Sequence, residues 1–198
     1  MMNWATLVGG SLLAALSVFS LESWAIELSP SQAQIDHAVE QGLKAAHDGM
    51  PPNRLYAWFG SDEELKPKGF LMTKVSGLTV LASHFGLRGA QPSNQDIQRI
   101  LNEETMLVSI TFYGDTSTFA KDSYVVLEQG DRLIKPVTVR FDAVAHRTVK
   151  WPDAPAFQAK IIGSFPYNGF DPLAQTTILV FPRQGGKISF EFDFSSIP

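Results

Sequence analysis

Apolar positions recur every three or four residues through the first half of the chain and every two residues through the second, so the sequence divides where the period changes. Ser29 and Ser31 offer helix N-caps beside Pro30, and Ile35, Ala38, Val39, Gly42, Leu43 and Ala46 share one helical face. They predict an amphipathic helix ending at Gly49. Met50-Pro51-Pro52-Asn53 then forces an extended connection, because neither a proline nor the residue before it favours helix. A loop carrying Tyr56, Trp58 and Phe59 is expected next. From Leu71 the spacing of Val75, Leu78, Ala82 and Phe85 favours a second helix, running to Gly86 or Gly89. The β-branched Val75, Thr79 and Val80, with Gly77, leave a strand as the alternative there. Ser93 followed by Asp96 is a relative of the capping box, and Ile97, Ile100 and Leu101 line a third, short helix. The helical part ends near Glu104.

Beyond Glu104 the pattern alternates. Residues 107–113 place Val108, Ile110 and Phe112 on one side and Ser109 and Thr111 on the other. Residues 122–129 and 132–141 flank the turn Gly130-Asp131, although Pro136 implies an edge position or a break in the second of them. Residues 158–165 form another strand. Residues 176–181 and 187–194 enclose Gly185-Gly186, a hairpin signal. The last strand alternates most cleanly, with Ile188, Phe190, Phe192 and Phe194 opposite Lys187, Ser189, Glu191 and Asp193, so both Phe190 and Phe192 are expected in the core. The expected fold is α+β, with N-terminal helices packed on a C-terminal antiparallel β-sandwich, Ig-like in architecture but without the Cys and Trp landmarks of immunoglobulin domains. The expected divisions are residues 1–25 as leader, 26–104 as a helical region and 105–198 as the sandwich, the last two forming one composite unit.

The leader assignment rests on the uncharged, apolar run from Trp4 to Leu21, followed by Ser23 and Ala25 at the -3 and -1 positions of a signal-peptidase site. The mature chain then begins at Ile26. The short start, Met1-Met2-Asn3, has no Lys or Arg, and an uncleaved anchor is the alternative reading. Either way the protein is directed out of the cytoplasm, to a periplasm or the exterior.

Composition narrows the function by exclusion. The net charge is -4 and the basic residues form no run, which gives no footprint for nucleic acid. There are no cysteines, so disulfides, thiolate metal sites and a cysteine nucleophile are excluded. The four histidines, His37, His47, His84 and His146, show no i, i+4 pair, and no metal or other cofactor is expected. Asp115, Asp122, Asp131 and Asp171 fall at strand ends and read as turn formers rather than as calcium ligands. Neither a Gly-x-Ser-x-Gly elbow nor a Ser-x-x-Lys motif occurs, and no catalytic residue is nominated. Asp142 and His146, just past a predicted strand, are where an exported hydrolase would place an acid and base pair.

One cluster suggests binding. Trp151-Pro152-Asp153-Ala154-Pro155 precedes the strand at residues 158–165, and Phe165-Pro166-Tyr167-Asn168-Gly169-Phe170-Asp171-Pro172 ends and follows it. Trp151, Tyr167 and Phe170 are accordingly the candidate ligand or partner surface, although loops at opposite ends of one strand form no single platform, and aromatics there also plug a core. The leading expectation is an exported envelope or secreted binding module whose partner is another envelope protein, a peptide or a glycan. An exported hydrolase and a structural envelope component are the alternatives.

Overall fold

The computed structural model describes residues 26–197, and the expected leader lies outside the described residues. Helix α1 (Gln32–His47) starts where Ser31 Oγ accepts the Gln34 amide while the Gln34 side chain accepts the Ser31 amide, so two otherwise orphaned N–H groups are satisfied reciprocally. It ends at Asp48, and Gly49 follows in the left-handed region at φ +71°, where a side chain would be strained. A 3₁₀ turn, Pro52–Leu55, then leads into strand β1 (Ala57–Gly60), where a loop was expected. Four residues are too few to show a period. The strand exists because β2 (Lys68–Met72) pairs with it, Trp58 facing Phe70 and Ala57 facing Leu71.

Helix α2 (Lys74–Gly86) is capped by Thr73 and Ser76 in the same reciprocal way, and α3 (Asn94–Leu101) by Ser93 and Asp96. Hydrogen bonds from Ser93 hold the Asp96 carboxyl below its ordinary range. Leu71, the expected start of the second helix, belongs to β2, while the β-branched stretch from Val75 to Val80 is helical. The chain before Thr105 is therefore helical only in part, because β1 and β2 are built from it.

The remaining strands are β3 (Thr105–Gly114), β4 (Tyr124–Gln129), β5 (Arg132–Ile134), β6 (Thr138–Phe141), β7 (His146–Arg147), β8 (Phe157–Pro166), β9 (Gln175–Phe181) and β10 (Ile188–Asp193). They form two antiparallel sheets. One has the order β1-β2-β3-β8-β6, with β7 also beside β8, and the other the order β10-β9-β4-β5. The segment expected as one strand over residues 132–141 is split at Pro136, β5 joining the smaller sheet and β6 the larger. Proline cannot donate to a ladder, so the chain changes sheets there.

Both sheets contribute to a single core, in which Val108, Ile110 and Phe112 of β3 and Ile161 and Phe165 of β8 join Val125, Leu127, Ile178 and Val180 of β4 and β9. Phe190 is buried in this core, its ring 5.0 Å from that of Phe59. Phe192 corrects the expectation made for it: on the edge strand β10 it has a neighbouring strand on one side only and is half-buried. The helices have a separate small core of Ile35, Ala38 and Leu78, flanked by Ile97, Ile100 and Leu101. Helices α1 and α2 meet closely at Gly42, where a Cβ would lie 2.7 Å from Ala82 Cβ and 2.9 Å from the Ser83 amide nitrogen. Tyr167 links the two layers. Its amide donates to the Glu104 carbonyl at 3.0 Å, and the Lys74 ammonium lies 5.3 Å from its ring centroid.

Candidate functional site

The three residues nominated from sequence do not form one surface. Tyr167 and Phe170 are 8% and 6% exposed and belong to the shared core, with ring centroids 6.0 Å apart and Phe170 set edge-on to Phe194. They close the end of the core where β8 leaves it, and burial pushes the Tyr167 phenol well above its ordinary pKa. Trp151 lies before the other end of β8 and is 45% exposed. Its loop is internally braced, since Thr148 Oγ1 donates to the Pro155 carbonyl at 2.6 Å and the Thr148 amide to the Ala156 carbonyl at 2.9 Å. The Arg147 guanidinium stacks over the indole at 4.0 Å.

Asp142 and His146 are not hydrogen-bonded to each other. Asp142 Oδ2 accepts the Lys160 amide at 2.8 Å while the Asp142 amide donates to the Lys160 carbonyl, so this side chain replaces a missing ladder acceptor between β6 and β7. His146 is exposed, as are His37, His47 and His84. Among the described residues no group of three or more His, Asp or Glu is placed to hold a metal ion. Asp171 acts as a turn former, accepting the Leu173 amide, and Asp122 pairs with Arg183. No helix among the described residues is long and apolar enough to cross a membrane.

Another aromatic group, of which Tyr56 and Trp58 were expected in a loop, lies on the outward face of the larger sheet. Inward side chains of β1, β2 and β3 include Phe59, Leu71 and Val108, so the alternate positions Trp58, Phe70 and Ser109 point away from the core. Register places Trp58, Phe70, Ser109, Ile162 and Arg140 in one row across five strands. Tyr56 stacks on Phe70 with ring centroids 4.2 Å apart and an interplanar angle of 11°, and Trp58 stands edge-on to Phe70 at 5.3 Å.

Trp58 is 42% exposed, yet its orientation is fixed, because Nε1 donates to the Asn53 carbonyl at 2.7 Å. The Lys68 ammonium lies 5.9 Å from the indole centroid. Lys160 and Arg140 are exposed on the same face, and no strand position on it carries a carboxylate. At its far end, burial and the nearby Glu64 raise the Tyr113 phenol. Chemically the arrangement is a preorganised apolar and cationic contact surface. The signal in the sequence was the alternation Tyr56-x-Trp58 and Lys68-x-Phe70-x-Met72, each too short to read without the pairing.

No protein-family model matches the chain, and no curated protein sequence does. Among solved structures it overlays the archaellum periplasmic stator complex FlaF and FlaG and the stator protein FlaG alone, both from Sulfolobus acidocaldarius. Each overlay has 17% identity and a TM-score of 0.28 and spans 45% of this chain, with 77% and 86% of the respective stator chains covered. An overlay of that size carries no argument about what this chain does.

Proposed function

We propose that the chain is an exported interaction module of the cell envelope, released from its leader after Ala25, that contacts a protein partner in the envelope through the outward face of its larger sheet. In this reading its two sheets are a sandwich, Ig-like in the loose architectural sense, and the helices are a small layer that closes one end. The observation that carries the proposal is the fixed cluster of exposed Trp58 and half-buried Tyr56 and Phe70 on the face turned away from the shared core. Large aromatic side chains with few rotatable bonds lose little entropy when a partner covers them, and an indole already hydrogen-bonded to its own backbone loses less still. Trp151, held by Arg147 on a braced loop, is also exposed, as are Tyr124 and Phe181 opposite each other on the smaller sheet, but among the described residues no aromatic ring packs on Trp151 to extend it.

The test is capture from cross-linked envelope extract of cells expressing the full chain with a C-terminal tag. The expected result is a discrete partner band that Trp58→Ala and Phe70→Ser each remove and Trp151→Ala retains, with thermal midpoints showing that all three variants fold. A band that survives Trp58→Ala in a folded protein would overturn the proposal.

A further inference from the structure

The two outward faces of the sheets complement each other. On the larger sheet Lys68 pairs with Thr111 and Thr111 with Lys160, so these three stand in one row across β2, β3 and β8. On the smaller sheet Glu128 pairs with Thr177 and Thr177 with Glu191, giving a row across β4, β9 and β10. Each row has two like charges with a threonine between them, and in each the charges are two interstrand spacings apart, about 10 Å. The spacing matches because both rows are set by the same ladder geometry.

Apolar rows lie alongside on both sheets. Trp58, Phe70 and Ile162 lie next to the lysines, and beyond the buried Val126 and Leu179 the exposed Tyr124 and Phe181 lie on the glutamate face. Among the described residues the ion pairs are Arg99 with Asp96 and Arg183 with Asp122, so all four row charges are left without an oppositely charged partner. A shallow cleft of about 380 Å³, lined by Glu128, Gly130, Gln175, Thr176, Thr177 and Glu191, leaves room for an entering ammonium group.

We infer that the partner on the larger sheet's outward face is a second copy of this chain, its smaller sheet laid against that face so that Lys68 and Lys160 meet Glu191 and Glu128. This rests on the reading of that face as the working surface. Two sheets packed face to face stand about 10 Å apart, a gap that Lys and Glu side chains span from both sides. The contact is heterologous, using different faces on the two copies. Each copy therefore keeps one face free for the next, and the association continues until it closes into a ring or extends as a chain. Like charges paired in the same row disfavour the alternatives, lysine face on lysine face or glutamate face on glutamate face.

The experiment is sedimentation velocity of the protein purified from the envelope fraction, over a concentration series at low salt and at about 0.5 M salt, where the screening length falls to roughly 4 Å. The expected result is a mass that rises with concentration at low salt and returns to the monomer at high salt. The charge-reversed variants K68E/K160E and E128K/E191K should each associate at least tenfold more weakly alone, and a one-to-one mixture should recover association. Two control variants make the same net charge changes at exposed positions outside the two rows, K121E/K150E and D62K/E63K, and each should associate as the parent does. Lys68 and Glu128 are half-buried and the other substituted side chains exposed, and unchanged thermal midpoints would show that the variants fold. A parent that stays monomeric up to millimolar concentration, or control variants that weaken association as much as the face variants do, would overturn the inference. If Trp58-dependent capture of a different protein persists while the parent stays monomeric, the face has another occupant, and the working-surface reading survives without the second copy.

Discussion

Gly42 sets how closely α1 and α2 approach, and replacing it with alanine should separate them. The added Cβ would meet the Ala82 Cβ at 2.7 Å and the Ser83 nitrogen at 2.9 Å, with the Thr79 carbonyl oxygen closer still. Non-bonded carbon atoms pack best at about 3.5–4.0 Å, so the helices must move apart by roughly 1 Å, which forfeits up to half of the dispersion energy across the contact. Two of the three atoms belong to the backbone of α2, so no side-chain rotation relieves the overlap. Overpacking of this kind costs typically about 3 kcal/mol at its upper end, while Gly→Ala inside a helix recovers about 1 kcal/mol, leaving a net loss of about 2 kcal/mol. Gly77 is the internal comparison. A Cβ there meets Ile100 Cγ2 at 3.2 Å, the end of a side chain that can rotate away, so Gly77→Ala should lie between neutral and about 1 kcal/mol more stable. Urea midpoints of the two variants should thus differ by roughly 2–3 kcal/mol at unchanged slope, and hydrogen exchange should show the Gly42→Ala loss concentrated in α1. A Gly42→Ala protein as stable as Gly77→Ala would refute the close crossing.

Three further outcomes follow from the core. Ser83 Oγ is buried among the described residues without a hydrogen-bond partner, so Ser83→Ala should leave the urea midpoint unchanged or raise stability by about 1 kcal/mol, and a clear loss would reveal a missed partner. Phe190→Ala should cost about 3–4 kcal/mol and the half-buried Phe192→Ala about half of that, while Glu191→Ala stays within about 0.5 kcal/mol. Equal losses at positions 190 and 191 would mean the register of β10 is wrong. Because burial raises the Tyr167 phenol, the unfolded chain ionises first as pH climbs past the ordinary tyrosine value. Stability should therefore be complete below about pH 10 and fall above it. Tyr167→Phe should flatten that fall, and an unchanged pH dependence would contradict the assigned burial.

The elements legible in the sequence were those whose local signal and tertiary role agree. Ser31, and Ser93 with Asp96, cap their helices by side-chain chemistry that is entirely local, and β3 and β10 alternate over enough residues to show a period of two. What was not legible depends on pairing between distant segments. Trp58 is in a strand because Phe70 lies opposite it, and Tyr167 and Phe170 are core residues because the sheet ends beside them. An aromatic in a turn-rich segment carries no local mark of the side to which it points. The lysine and glutamate rows are hidden for the same reason. Lys68 and Lys160 are neighbours only through Thr111, and Glu128 and Glu191 only through Thr177.

The central claim is that the outward face of the larger sheet is covered in the envelope, and in-cell photo-cross-linking measures that cover directly. A photoreactive residue replaces Trp58 in the full chain, and a second strain carries it at Val149, which is exposed in the loop after β7. The account predicts a discrete protein adduct on irradiation from position 58 and none from position 149, with the mature N-terminus of the adduct at Ile26. An envelope-located, folded protein that gives no adduct from position 58, or the same adduct from both positions, would contradict it.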